Sequence, residues 1–149
     1  MNFALKYCII NKGDKMNRSE ARKIIMTILY QIIVYEKNKM VYDVEEVIKE
    51  NLEIDNEFVK EIVFGVITYK NDIDSIANKY LNDWTIDRLG NTDIAILRMG
   101  IYELMYTDTP SIVCINEAVE LAKDYSDDDV CKMINAVLDK VYHAKVDNE

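Results

Sequence analysis

The sequence predicts an all-α protein: a single globular domain of about seven helices. Three observations support this prediction. Apolar residues recur at helical spacing in nearly every segment after residue 17. The 149 residues include only four Gly and one Pro, too few for many short strands and turns. No alternating segments joined by a tight turn indicate a β-hairpin. Half of the residues are apolar, so a chain of this length can bury one core.

The first two helices are predicted from their caps and their apolar spacing. Asn17 can cap the first helix, with Glu20 at the reciprocal position of a capping box, and Lys37-Asn38-Lys39 ends it. Asp43 can cap a short second helix. The predicted inward positions are Ile25, Ile28, Leu29, Ile32 and Tyr35, then Val44, Val47, Ile48 and Leu52.

A long apolar face follows, starting after Asp55-Asn56. Its steps alternate between four and three residues, as on one side of a helix. It comprises Phe58, Ile62, Val66, Tyr69, Ile73, Ile76 and Tyr80. Asn71, Asp72 and Asp74 interrupt it, so this segment forms one helix or two. Residues 84–90 then form a link with room for one helical turn, and Trp84 is either a lid over the core or an exposed contact.

Three further helices complete the prediction. One opens at Asn91 or Thr92 and closes before Pro110, because the residue preceding proline avoids the helical region. A second is centred on residues 115–122, and residues 126–129 end it and cap the last helix. The predicted inward positions are Ile94, Leu97, Ile101 and Leu104; Ile115, Ala118, Val119 and Ala122; and Val130, Ile134, Val137, Leu138 and Val141.

Several polar residues fall within these apolar frames: Arg98, Glu103, Asn116, Glu117 and Asn135. Burying such groups costs several kcal/mol unless they are paired or hydrogen-bonded. We therefore expect them to fix the packing of the final three helices rather than to bind a ligand, and we expect Tyr102 to lie in the core.

No catalytic or metal-binding set emerges, so we expect a protein that is not an enzyme and that carries no cofactor or metal. Cys8, Cys114 and Cys131 have neither disulfide nor metal spacing, which favours a reducing, cytoplasmic setting. The single histidine, His143, is expected at the surface near a helix end. No apolar run approaches the roughly 20 residues of a membrane span.

The net charge of −9 opposes RNA binding in general, but the charge is uneven. Residues 1–23 hold six basic and two acidic side chains, and the rest of the chain holds 12 basic and 25 acidic ones. A basic end on an acidic body directs a polyanion to one place. Arg18, Arg22 and Lys23 supply this end at a helix N-terminus, where phosphate is favoured, although an ordinary solvated surface explains them equally well.

Residues 1–15 are a possible non-native or disordered extension ahead of a domain at 16–145. The codons for Lys12-Gly13-Asp14 are compatible with AAGGAGA, the core of a bacterial ribosome-binding site, just before Met16. Translation from Met16 is therefore one hypothesis, and a genuine but frayed extension is the other. Codons without a GGAG core would exclude the first.

Five sequence blocks together resemble the NusB family. They are RSEAR at 18–22, LYQ at 29–31, IAILRMGIYEL at 94–104 followed by Pro110, INEAVELAK at 115–123, and NAVLDK at 135–140. The resemblance implies two packed helical bundles and an RNA-binding transcription antitermination factor. Family members bind boxA RNA of ribosomal RNA leader transcripts, together with the ribosomal protein NusE. The pair then acts on RNA polymerase with other Nus factors.

The resemblance also implies which residues contact the partners. RNA contacts carry over to Arg18, Arg22 and Lys23, and to Asp129, Lys132 and Met133 at the start of the last helix. Tyr30 and Asp93 carry over to the partner-binding face. The family usually has Phe at position 133, and Gly at positions 136 and 126, where this chain has Met133, Ala136 and Ser126. Methionine stacks less well on a base than an aromatic ring does.

Two other functions fit the same pattern. NusB-like domains also precede ribosomal RNA cytosine methyltransferases, but a complete chain of this sequence lacks the Gly-rich loop and parallel-sheet pattern of that enzyme. The other is a helical protein-interaction module or homodimer that does not bind RNA. A salt-dependent affinity for RNA distinguishes the leading hypothesis from this one.

Overall fold

The computed structural model describes residues 16–148, so the predicted extension at 1–15 lies outside the described residues. This part of the chain contains seven α-helices and one 3₁₀ turn, which confirms the all-α prediction. The helices are α1 (Arg18–Lys37), α2 (Val44–Asn51), α3 (Glu57–Thr68), α4 (Lys70–Tyr80), α5 (Asn91–Tyr106), α6 (Ser111–Tyr125) and α7 (Asp128–Asp147), with the turn at Ile86–Arg88.

The predicted helix caps are confirmed where the local signal is strongest. At α1 the amide of Glu20 donates to Oδ1 of Asn17 at 2.8 Å, and the amide of Asn17 donates to Oε2 of Glu20 at 3.2 Å. Asp43 and Asp127 accept backbone hydrogen bonds at the starts of α2 and α7. These short polar side chains satisfy amides that have no partner within the helix.

Two boundaries refine the sequence prediction. The long apolar segment is two helices, and the break falls at Tyr69 rather than at the polar residues that follow it. Helix α5 begins at Asn91 after Gly90, and its first turn has no side-chain cap. Asn91 instead accepts a hydrogen bond from Nζ of Lys37, which joins the start of α5 to the end of α1.

Helix α5 is the centre of the fold. Its residues Ile94 to Leu104 are all buried. Helices α1, α2 and α3 form one bundle, and α4, α6 and α7 form the second, while α5 packs against members of both. At Gly100 an added Cβ would lie 3.1 Å from Cδ1 of Leu138, so the glycine permits the close approach of α5 and α7.

Candidate nucleic-acid interface

Arg22 lies where α1, α5 and α6 meet, and only 2% of it is exposed. Its Nε and Nη2 donate to the two carboxylate oxygens of Glu103 at 2.9 and 2.7 Å. Burial alone lowers the pKa of Arg22, but the hydrogen bonds and charge of Glu103 outweigh burial and raise that pKa. The surface position expected for Arg22 from its spacing is therefore wrong, and its contact with RNA remains a prediction.

Arg22 and Ser19 also join the start of α1 to α6. Nη1 of Arg22 lies 3.7 Å from Oε1 of Glu117, and the hydroxyl of Ser19 donates to the same oxygen at 2.8 Å. A buried ion pair repays its desolvation only when its hydrogen-bonding atoms are satisfied. Among residues 16–148, no buried side-chain nitrogen or oxygen atom lacks a partner.

Arg18 lies one turn before Arg22 and is exposed. Its Cζ lies 4.5 Å from the centroid of the Phe58 ring on α3, and Cζ of Arg22 lies 5.3 Å from the same centroid. Phe58 therefore supports the Arg18 guanidinium through a cation–π contact. From the sequence, Phe58 was predicted only to lie on an inward helix face. Its contact with Arg18 was not predicted, because that contact joins two separate helices. Lys23 follows on α1 and is half-buried.

The second group of predicted RNA residues lies at the start of α7. Asp129 and Lys132 are exposed, and Met133 is half-buried against the core. Sγ of Cys131 lies 3.6 Å from the carbonyl oxygen of Val119, which holds this end of α7 on α6. The charged side chains are thus presented to solvent, and Met133 shows only part of its surface.

Helix α6 connects the two groups. Glu117 contacts the start of α1, and Val119 contacts the start of α7. Asn116 and Glu120 are exposed on the same helix. The expectation that Asn116 and Asn135 fix the helix packing is therefore wrong, because both are exposed. Asn116 is thus an exposed polar residue of the candidate site. The sequence analysis assigned it to helix packing instead, because most of the residues around it in the sequence are apolar.

Two other polar residues that were predicted among apolar ones, Arg98 and Glu103, form ion pairs with residues outside the final three helices. Arg98 on α5 donates to both carboxylate oxygens of Asp74 on α4, each at 2.9 Å. Glu103 pairs with α1 through Arg22. Both residues pair within the protein, as expected, but the expected location among the final three helices is wrong, because the pairs join α5 to α1 and α4. Tyr102 is 7% exposed, which confirms its predicted core position.

The predicted partner residues lie toward the other end of α1. Tyr30 is 41% exposed. Asp93, in the first turn of α5, is half-buried and accepts a hydrogen bond from the hydroxyl of Ser126 at the end of α6. The contact of Lys37 with Asn91 brings the end of α1 beside this turn. The structure thus places Tyr30 and Asp93 on neighbouring elements, and their contact with a partner remains a prediction.

Four further observations concern residues 16–148. No group of three or more His, Cys, Asp or Glu side chains there is placed to hold a metal ion. His143 is exposed near the end of α7, as predicted, with Nε2 3.5 Å from Oδ1 of Asp139. No helix there combines the length and apolar character needed to span a membrane. Trp84 is 57% exposed, so it is not a lid over the core.

Comparison with known proteins places this fold in a family. A sequence model of the NusB family matches residues 19–143. The transcription antitermination protein NusB of Staphylococcus aureus (strain JH9) is 41% identical over 127 residues, which cover 85% of this chain and 98% of that protein.

Solved structures agree with the sequence match. T. maritima NusB superposes with a TM-score of 0.77 at 30% identity, covering 87% of this chain and 92% of that one. A chain from a crystal structure of the antitermination factors NusB and NusE in complex with dsRNA has a TM-score of 0.72 at 30% identity, covering 85% and 96%. The fold is therefore that of an all-helical antitermination-factor domain. The chain belongs to the NusB family.

Proposed function

We propose that this chain is a cytoplasmic transcription antitermination factor, without enzymatic activity, that binds boxA-type single-stranded RNA of ribosomal RNA leader transcripts together with the ribosomal protein NusE. It reaches RNA polymerase through other Nus factors. The observation that carries the proposal is the likeness, along most of the chain, to a chain from a solved complex of NusB and NusE with dsRNA.

The exposed surface supports a path for RNA across three helices. Arg18 offers a guanidinium at the start of α1, and Lys132 offers an ammonium at the start of α7. Helix α6 lies between them, with the amide of Asn116 exposed. Single-stranded RNA is recognised through phosphate contacts, hydrogen bonds to base edges and stacking. The part of Met133 that remains exposed can pack against a base, although less well than an aromatic ring.

Binding to RNA alone is expected to be weak, because the chain has a net charge of −9 and few cationic groups at this surface. A partner on the neighbouring face near Tyr30 and Asp93 adds its own contacts to the same RNA strand. When two weak RNA-binding surfaces are joined in one complex, the overall affinity for RNA rises even though neither surface binds more strongly by itself. This requires that both surfaces can contact the same strand at once. The proposal therefore requires NusE for tight binding.

The test is a fluorescence-anisotropy titration of the full chain with labelled single-stranded boxA RNA, with and without NusE. A scrambled strand and a boxA duplex test sequence and strandedness, and each titration is repeated at several salt concentrations. We expect the boxA strand to bind best and NusE to strengthen binding about tenfold or more. With about three phosphate contacts, the slope of log affinity against log salt should be about −2.

Charge-reversing substitutions test where on the protein the RNA binds. Arg18→Glu and Lys132→Glu should each weaken binding about tenfold and make the salt slope shallower. Lys49→Glu, at an exposed position on α2, is the matched control and should leave binding unchanged. Equal effects of all three would refute the assigned surface. No RNA binding in any condition would overturn the proposal in favour of a protein-interaction module or homodimer.

A further inference from the structure

Three stacked tyrosines form a surface that the proposed function does not use. The rings of Tyr69 and Tyr106 have centroids 4.4 Å apart and planes 14° apart, and those of Tyr102 and Tyr106 have centroids 5.4 Å apart. Tyr69 is 41% exposed and Tyr106 is 37% exposed. Together, Tyr69, Tyr102 and Tyr106 are called the tyrosine face.

The tyrosine face is held in place by the core. Tyr102 is buried, and it lies so close to α3 that a Cβ at Gly65 would be 2.1 Å from Cζ of its ring. The glycine therefore leaves the space that the ring fills. Tyr106 and Tyr69 stack on this fixed ring, so their exposed sides are held ready for a ligand at little further entropic cost.

Carboxylates accompany the exposed rings. Glu61 lies one helical turn before Gly65 on α3, and Asp72 lies in the first turn of α4, three residues after Tyr69. Burial first, and then the charge of Glu61, raises the pKa of Tyr102; burial first, and then the charge of Asp72, raises the pKa of Tyr106. Both carboxylates belong to exposed residues. Nζ of the nearby Lys70 lies 3.1 Å from Oε2 of Glu36, so its charge is compensated there.

We infer that the tyrosine face binds an arginine-bearing segment of a partner protein. A guanidinium stacks on tyrosine rings and donates paired hydrogen bonds to carboxylates such as those of Glu61 and Asp72. A lysine ammonium is more strongly hydrated and cannot donate in this planar, forked geometry. The same carboxylates repel the phosphates of RNA. This inference does not depend on the proposed binding of boxA RNA.

The test titrates the full, ¹⁵N-labelled chain with an acetylated and amidated peptide of alternating Gly and Arg, followed by NMR. A peptide with Lys in place of Arg is the chemical control. We expect shifts concentrated at residues 61–72 and 102–106, and affinity for the Arg peptide at least about threefold higher than for the Lys peptide. Equal affinities, or shifts spread over the whole acidic surface, would overturn the inference.

Variants separate the two parts of the tyrosine face. Tyr69→Leu combined with Tyr106→Leu should weaken the Arg peptide about tenfold and reduce its preference over the Lys peptide. Glu61→Gln combined with Asp72→Asn should weaken it about fivefold while leaving stacking possible. Tyr125→Leu is the matched control, since Tyr125 is also 37% exposed, and should bind like the wild type.

Other occupants give different results. An oligouridylate that shifts the same resonances, and loses this effect in the tyrosine variants, would overturn the inference in favour of base stacking. A dimer in sedimentation that dissociates in the same variants would overturn it in favour of a second copy of the chain. Wild-type peptide affinity in the tyrosine variants would also overturn it.

Discussion

Arg18 and Arg22 lie one helical turn apart on α1, yet they occupy opposite environments. Arg18 is exposed and rests on Phe58, whereas Arg22 is 2% exposed and pairs with Glu103. Helical spacing places both on one side of α1. What differs is the neighbour: Arg22 lies under the junction with α5 and α6, and Arg18 lies at its edge. Sequence spacing gives direction around a helix, but not the depth at which a side chain lies.

The comparison assigns different tasks to the two arginines. The interior pair stabilises the junction of three helices and positions the first turn of α1. The edge arginine, carried by that turn, is available to an anion. Substitutions in the two regions should therefore separate effects on the free energy of unfolding from effects on RNA affinity.

The largest expected effect is on the interior pair. Arg22→Met should lower the free energy of unfolding by about 3–5 kcal/mol, because the Glu103 carboxylate is left buried without its partner. Urea denaturation followed by circular dichroism measures this loss. The double variant Arg22→Met/Glu103→Leu is the control and should recover most of the stability, since an apolar pair can replace a buried ion pair. A single variant as stable as the wild type would contradict the assigned role.

The same double variant tests the predicted RNA contact of Arg22. If Arg22 supports RNA binding only by stabilising the fold, the folded double variant should bind boxA RNA with nearly wild-type affinity. A tenfold loss of affinity in a variant with restored stability would show that the guanidinium itself contacts RNA.

A second large effect concerns Cys114, which is buried beside the interior pair. Burial first, and then the charge of Glu103, raises the pKa of Cys114 to about 11, from an unfolded value near 9. The thiolate fraction at pH 8 should fall about a hundredfold. Iodoacetamide at pH 8, followed by mass spectrometry, should therefore label Cys114 slowly in the folded chain and quickly in urea. Equal labelling rates in the two states would contradict this.

The sign of the corresponding pH effect follows from linkage. The folded state holds the Cys114 proton more tightly than the unfolded state does. The stabilising contribution is thus complete below about pH 9 and is lost as the pH rises through about 11.

A smaller effect is expected at the second arginine pair. The side chains of Arg98 and Asp74 are 11% and 22% exposed, so water can partly hydrate Asp74 after its partner is removed. Arg98→Met should cost about 1–2 kcal/mol by urea denaturation, clearly less than Arg22→Met. The reverse order would show that burial does not set the strength of these pairs.

The smallest stability effect is expected at the edge. Arg18→Glu should change the free energy of unfolding by no more than about 0.5 kcal/mol, because the residue is exposed and a carboxylate suits the first turn of a helix. The same variant should lose RNA affinity. Loss of more than 1 kcal/mol would mean that Arg18 belongs to the interior junction after all.

The helices could be predicted because the features that mark them are local in the sequence. The caps at Asn17, Asp43 and Asp127 and the apolar spacing of the helices depend on residues within a few positions of one another. The break at Tyr69 was not predictable in the same way, because neither Gly nor Pro marks it. That break lies beside Tyr106, where tertiary stacking contributes to the local structure.

The candidate site was less predictable, because its contacts join distant positions. Arg22 and Glu103 are 81 residues apart, and no periodicity pairs them. Asn116 was expected inside because it lies between the predicted inward positions Ile115 and Ala118, yet Asn116 is exposed while Ala118 is buried. The resemblance to the NusB family predicted RNA contacts around α1 and α7, and burial in the structure shows which side chains of these two regions are exposed to a ligand.

The central position of α5 also has a consequence for dynamics. Its eleven buried residues, Ile94 to Leu104, leave no stretch of this segment that can fray into water while its neighbours stay folded. Their amide protons should exchange with solvent only through opening of the whole domain, whereas those at the ends of α1 and α7 can exchange locally. The slowest-exchanging amides of α5 would then report the free energy of global unfolding directly, without any denaturant.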